Sequence, residues 1–200
     1  MAINHVGQPI SDQFIHSLAG NSLCSDRLLC KLGGYKTHLP VLKFLIEAFP
    51  IKSVIEFGMG RNSTPWLANT GLKLLSIENS IEWFEKSKTD LPNHKCVLWP
   101  NSNVQDYLLE DVQHFDLALI DSDTADNRLH STNRLFGRSR FIVFHDSNLP
   151  EFNSRINEFM IPFDYKLVRY RNLIPETAVF TSFDDAEVIE DFCKPVKCLI

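Results

Sequence analysis

Val54-Ile-Glu-Phe-Gly-Met-Gly-Arg-Asn-Ser-Thr64 is the stretch that decides the fold. Its first residues are apolar apart from Glu56, and the run breaks on Gly58 and Gly60. Ser63 and Thr64 then stand where a helix opens, next to backbone amides that no helical carbonyl satisfies. Glycine permits a tight turn and lets a second group approach the backbone closely. The stretch therefore reads as strand, glycine turn and helix start, with a polar ligand expected at the turn.

The same rhythm continues in both directions. Upstream, Thr37 reads as a helix cap, with Pro40 in the first turn and Val41, Leu42, Leu45, Ile46 and Phe49 at helical spacing. Downstream, Leu72–Ile77 is a second strand ending in Glu78, and Ser80 opens a helix running to Lys88. His94–Leu98, Phe115–Ile120 and Phe141–Phe144 are further strands, the last two stopped by Asp121 and by His145-Asp146. Helices are expected over 104–112, within 124–138 and over 151–161. Tyr165–Tyr170 and Thr177–Phe183 close the pattern as strands.

Val54–Phe57, Leu117–Ile120 and Phe141–Phe144 are almost continuously apolar, as in strands buried on both faces. Their alternation with helices implies right-handed crossovers. The link Arg171–Glu176 is too short for a crossover helix, so the last two strands form an antiparallel pair at one edge. The expected fold class is α/β: a Rossmann-like doubly wound sheet of seven strands, mostly parallel, with helices on both faces. One domain spans 1–200, with 1–36 as a leader or cap and 37–200 as the core.

Composition sets outer bounds. The chain has 200 residues, 44% of them hydrophobic and 22% charged, which fits an ordinary globular domain rather than a disordered or collagen-like chain. The net charge of −5 disfavours a phosphate-backbone partner, so no nucleic acid is expected. The five cysteines form no C-x-x-C pair, no secretory signal opens the chain, and no apolar run approaches the ~20 residues that span a bilayer. A cytoplasmic protein without a membrane partner is the expectation. The acidic run from Asp184 to Asp191 reads as a solvated helix face.

In such sheets ligands bind beyond the carboxyl ends of the strands, where strand order reverses. The polar residues there are Glu56, Gly58, Gly60, Glu78, Asn101, Ser102, Asn103, Asp121, His145 and Asp146. Glu78 lies twenty residues after Gly58, and an ionised carboxylate at that position can accept both hydrogens of a ribose diol. A dinucleotide site wants a third glycine, which Gly58-Met-Gly60-Arg-Asn-Ser63 lacks. Glu56 is also awkward beside a pyrophosphate and suited to the ammonium of an amino-acid ligand. Both departures favour S-adenosylmethionine over NAD.

Val54–Thr64 resembles motif I of class I S-adenosylmethionine-dependent methyltransferases, in its E-x-G-x-G form followed by Ser-Thr. Leu75-Ser-Ile-Glu78 resembles the acidic ribose position of that family, and Phe115–Asp121 its motif IV. The likeness covers about residues 37–183. It implies a sheet order of 3-2-1-4-5-7-6. It also implies that Glu56, Gly58, Gly60 and Glu78 hold the cofactor, with Ser63 or Thr64 near its carboxylate and Asn101 and Ser102 on the adenine side. Asn62 stands where the family has its third glycine.

The acceptor side has two readings. Asp121 and Asp146 end adjacent strands and can face each other across one cleft, where two carboxylates suffice for Mg2+. His145 can instead serve as general base. Either way the chemistry implied is in-line methyl transfer to an oxygen of a small molecule, with Asp121 or His145 taking the proton. No N-P-P-Y-type motif follows the fourth strand, which argues against a DNA-adenine methylase. His5, His16, His38, His94, His114 and His130 show no ligand spacing and read as structural or solvent-facing. A nicotinamide-dependent oxidoreductase and a catalytically silent binding or scaffold protein remain as alternatives, and a homodimer stays open.

Overall fold

The computed structural model describes residues 36–100, 114–155 and 158–194. The leader before residue 36, the expected helix over 104–112 and the candidates Asn101, Ser102 and Asn103 lie outside the described residues.

The strands are β1 (Ser53–Phe57), β2 (Lys73–Glu78), β3 (His94–Leu98), β4 (Phe115–Ile120), β5 (Ser139–His145), β6 (Tyr165–Tyr170) and β7 (Thr177–Ser182). They form one sheet in the order β3-β2-β1-β4-β5-β7-β6. β1, β2, β3, β4 and β5 are parallel, and β7 runs antiparallel to both β5 and β6. The fold class and strand order are those expected. The helices are α1 (Leu39–Ala48), α2 (Ser63–Ala68), α3 (Ile81–Ser87), α4 (Ala125–Leu135), α5 (Pro150–Asn153) and α6 (Phe183–Cys193).

The period-two geometry of the strands divides their apolar residues between two cores. Val54, Leu117, Leu119, Phe141 and Val143 face one side, where Phe44 of α1 and Ile189 and Phe192 of α6 cover them. Phe44 stacks on Phe192 with centroids 4.2 Å apart. Ile55, Phe57, Ala118, Ile120, Ile142 and Phe144 face the other side, under Leu135 of α4 and Phe152 of α5. Both faces being covered is why these strands carry so few polar residues.

Local signals hold in part. Ser80 caps α3 by accepting from the Trp83 amide, and Thr124 caps α4 by accepting from the Asn127 amide. Thr37 does not cap α1. Residue 38 stands at the cap without a side-chain bond, and the Thr37 hydroxyl instead lies 2.8 Å from His145 Nε2. The helix expected over 151–161 shrinks to Pro150–Asn153. Phe152, Phe159 and Ile161 all pack on the second core, but Phe159 and Ile161, two residues apart, cannot share one helical face, and Asn153 and Ser154 favour a turn. The acidic face of α6 is partly paired: Asp185 takes a two-pronged contact from Arg140, and Glu190 meets Lys166.

Candidate functional site

Strand order reverses between β1 and β4, and the glycine turn sits there. Gly58 has φ +87°, and a Cβ on it would lie 2.3 Å from the Asp121 carbonyl oxygen. The turn is thus pressed against the end of β4, with the Asp121 amide donating to the Phe57 carbonyl at 2.8 Å. On its other flank, Glu78 holds the turn to the end of β2. Its Oε2 accepts from the Met59 amide at 2.7 Å, and its Oε1 accepts from the amides of Asn79 and Ser80. Burial pushes the Glu78 carboxyl upward, and these backbone bonds oppose that shift. A carboxylate has about four acceptor sites, so about one stays free for a ligand hydroxyl.

Glu56 has a different place from the one expected. It is fully buried and stands behind the turn, outside the lining of the cavity described below. Its Oε2 accepts from Thr64 Oγ1 at 2.8 Å and from Ser76 Oγ at 2.7 Å. Thr64 Oγ1 in turn accepts from the Gly60 amide at 2.9 Å, and Ser76 Oγ lies 2.9 Å from His94 Nε2. Glu56 therefore fixes the turn through Thr64 rather than facing a ligand ammonium. Its second oxygen and the Ser63 hydroxyl are both buried, and Ser63 joins Ser76 and Thr64 as a hydroxyl acting on this carboxyl. Burial raises the Glu56 carboxyl to about 7, against the opposing hydroxyl of Ser76.

A cavity of about 950 Å³ opens over the strand ends. One end is walled by Gly58, Gly60, Ser63, Glu78 and the half-exposed ring of Trp83. Arg61 and Lys86 each stand 5.8 Å from that ring's centre. The other end is walled by His38, Asp121, Arg128, His145, Asp146 and Pro175.

Asp121 and Asp146 do converge, but a guanidinium stands between them. Arg128 Nη1 lies 3.0 Å from Asp146 Oδ2, and Nη2 lies 3.3 Å from Asp121 Oδ1. The same buried side chain donates to the carbonyls of Ser122 and His145. The two acids expected to hold magnesium thus share one buried guanidinium, whose fork joins the ends of β4 and β5. Asp146 adopts φ +59°, a left-handed conformation uncommon for a residue with a side chain, and its Arg128 contact holds it there.

His145 is also placed differently from a free base. Nδ1 lies 3.0 Å from Asp121 Oδ1, and Nε2 is engaged by Thr37. Both nitrogens are used, so His145 orients Asp121. Burial alone would raise the Asp121 carboxyl, but the His145 hydrogen bond and the nearby Arg128 hold it below the usual range.

Two residues of this site escaped sequence reasoning. Arg128 lies in a polar stretch with nothing to distinguish it from a surface arginine. His38 read as structural or solvent-facing, yet it is buried on the cavity wall, its ring 4.4 Å from that of His145. Neither of its nitrogens has a hydrogen-bond partner. Burial, with His145 adding to it, lowers its imidazole to about 4. Its only sequence signal was its place beside Thr37 at the start of α1.

No known family profile and no curated protein matches the chain. Solved structures do resemble it. An rRNA methylase from Streptococcus thermophilus is 16% identical, with a TM-score of 0.52 over 70% of this chain and 92% of that one. A methyltransferase from Geobacter sulfurreducens is 12% identical, with a TM-score of 0.51 over 87% and 90%. At such identities the likeness establishes the fold: a Rossmann-like sheet of the kind S-adenosylmethionine-dependent methyltransferases use.

Proposed function

We propose that this chain binds S-adenosylmethionine over the β1–β4 switch point and transfers its methyl group to an oxygen of a small-molecule acceptor. The observation that carries this reading is the 2.7 Å bond from the Met59 amide to Glu78, which holds a strand-ending carboxylate beside an open glycine turn. Glu78 keeps an acceptor site for a ribose hydroxyl. Ser63, on the cavity lining at the start of α2, is placed to face the cofactor's carboxylate. The Trp83 ring offers a flat wall for a base, and Asn101 and Ser102 are assigned to the adenine side from the resemblance. Four carboxylates (Glu78, Asp121, Asp123 and Asp146) against Arg61, Lys86 and Arg128 leave the lining net negative, as a cationic cofactor requires.

S-adenosylmethionine, when bound, supplies a methyl group already activated by its sulfonium. The chain's work is then alignment and removal of the acceptor's proton. Asp121 is the group assigned to that proton, with His145 and Arg128 fixing its direction. Asp146 acts through Arg128. The cysteine usage, with no C-x-x-C pair, supports a cytoplasmic setting, and no helix among the described residues is long and apolar enough to cross a membrane.

A thermal-shift comparison tests the reading against the oxidoreductase alternative. S-adenosylmethionine is expected to raise the melting temperature and NAD to leave it unchanged, because a ligand stabilises the state it binds. Stabilisation by NAD alone overturns the assignment.

A further inference from the structure

The end of the cavity away from the glycine turn carries a buried, chemically idle imidazole. His38 is 1% exposed, and neither ring nitrogen has a hydrogen-bond partner. A buried polar group left unpaired is costly unless something meets it. One atom each from His38, Asp121 and His145 lie within 4.8 Å of one another.

We propose that His38, His145 and Asp121 bind one divalent ion of the zinc type, leaving a coordination position open to the cavity. Ligand atoms about 2.0–2.1 Å from a tetrahedral ion stand about 3.3 Å apart. His145 Nδ1 and Asp121 Oδ1, 3.0 Å apart, come close to that spacing, and a His38 nitrogen lies within 4.8 Å of the other two ligand atoms. His145 Nε2 meets the Thr37 hydroxyl at 2.8 Å, the kind of outer contact that fixes the ring of a metal-bound histidine. Two imidazoles and one carboxylate select zinc-type ions over magnesium, which prefers oxygen alone. Charge permits a cation: the carboxylates of Asp121 and Asp146 exceed the single guanidinium of Arg128. Arg128 Nη2, 3.3 Å from Asp121 Oδ1, is the neighbour that opposes the ion, while Nη1 of the same guanidinium is taken by Asp146 at 3.0 Å. Three protein ligands plus an open position is the arrangement of reactive rather than structural zinc, and a hydroxyl bound there would ionise more readily.

This inference does not rest on the cofactor assignment, since its test uses the metal alone. The full chain, stripped by chelator, is titrated with Co2+ followed by visible absorption and with Zn2+ followed by calorimetry. One equivalent is expected, with His38→Ala weakening it at least about tenfold and His130→Ala leaving it unchanged. X-ray absorption at the zinc edge of the unmodified chain should show two imidazoles and only nitrogen or oxygen neighbours, which decides the matter even if His38→Ala does not fold. No binding at about 100 μM metal overturns the proposal. So does affinity indifferent to His38→Ala, or a sulfur neighbour at about 2.3 Å, which would place the ion on cysteines.

Discussion

Glu78 and Met59 are joined by a 2.7 Å hydrogen bond from the Met59 amide to the Glu78 carboxylate, and the bond fastens the glycine turn of β1 to the end of β2. The contact makes two separate sequence features, a turn and a strand-ending acid, into one wall of a cavity. Glu78→Gln keeps the shape but leaves a single acceptor oxygen for three backbone amides. Its affinity for S-adenosylhomocysteine is expected to fall about tenfold or more, as hydrogen bonds to a charged group are each worth about 1.5–3 kcal/mol. Calorimetry on the variant checks this, and unchanged affinity would remove Glu78 from the ribose position.

The two glycines with positive φ on either side of α2 make a matched test. Gly58→Ala must place a Cβ against the Asp121 backbone at 2.3 Å and also adopt φ +87°. Gly71→Ala meets nothing within 4 Å and carries only the cost of φ +80°. The expected loss is about 1 kcal/mol at Gly71, within the range for left-handed backbone, and several-fold larger at Gly58, where β1 and β4 must separate. Urea denaturation of both variants reads the difference. Equal losses would mean that the turn is not pressed on β4.

Glu56 gives a pH signature of unusual sign. Its folded carboxyl is raised to about 7 from an ordinary 4.5. The folded chain therefore keeps a proton that the unfolded chain releases. The stabilisation is complete below about pH 4.5 and is lost as pH rises to about 7, amounting to about 3 kcal/mol across the window. Glu56→Gln should flatten the dependence of the urea midpoint on pH in that window. A variant that retains the wild-type slope would show that another group causes it.

Arg128 is the buried cation that holds Asp121 and Asp146 together. Arg128→Met leaves two partly buried carboxylates without their partner, and the expected destabilisation is about 3–5 kcal/mol. Arg128→Lys should recover little, because a lysine cannot span both acids and two carbonyls with one ammonium. Arg155→Met, which removes exposed pairs with Asp126 and Glu158, should leave the denaturation midpoint close to wild type. If Arg128→Lys matched wild type, the fork geometry would not matter.

The centre of the sheet was legible because β1, β2, β4 and β5 are largely apolar and stop at Gly58, Glu78, Asp121 and His145-Asp146, while β3, β6 and β7 showed as short runs rich in strand-forming residues. Those are short-range signals, and they placed all seven strands. The turn residues Gly58, Gly60 and Ser63, and Glu78 beside them, were legible for the same reason. What the sequence hid were contacts made across long stretches of chain. Thr37 and His145 are 108 residues apart, and no spacing rule brings a hydroxyl that looks like a cap onto that ring. Glu56 has the right residue type at the right motif position, but whether it faces a ligand or stands behind the turn depends on Thr64 and Ser76 together. Arg128 and His38 became site residues only when α4 and the start of α1 were packed against the ends of β4 and β5.

The central claim is that the cavity at the β1–β4 switch point takes S-adenosylmethionine. Isothermal calorimetry with S-adenosylhomocysteine on the full chain tests it most directly. One site per chain with affinity in about the micromolar range is the predicted result, weakened in Glu78→Gln and abolished in no variant confined to α6. The absence of any binding heat at about 1 mM ligand, with the chain folded, would contradict the account.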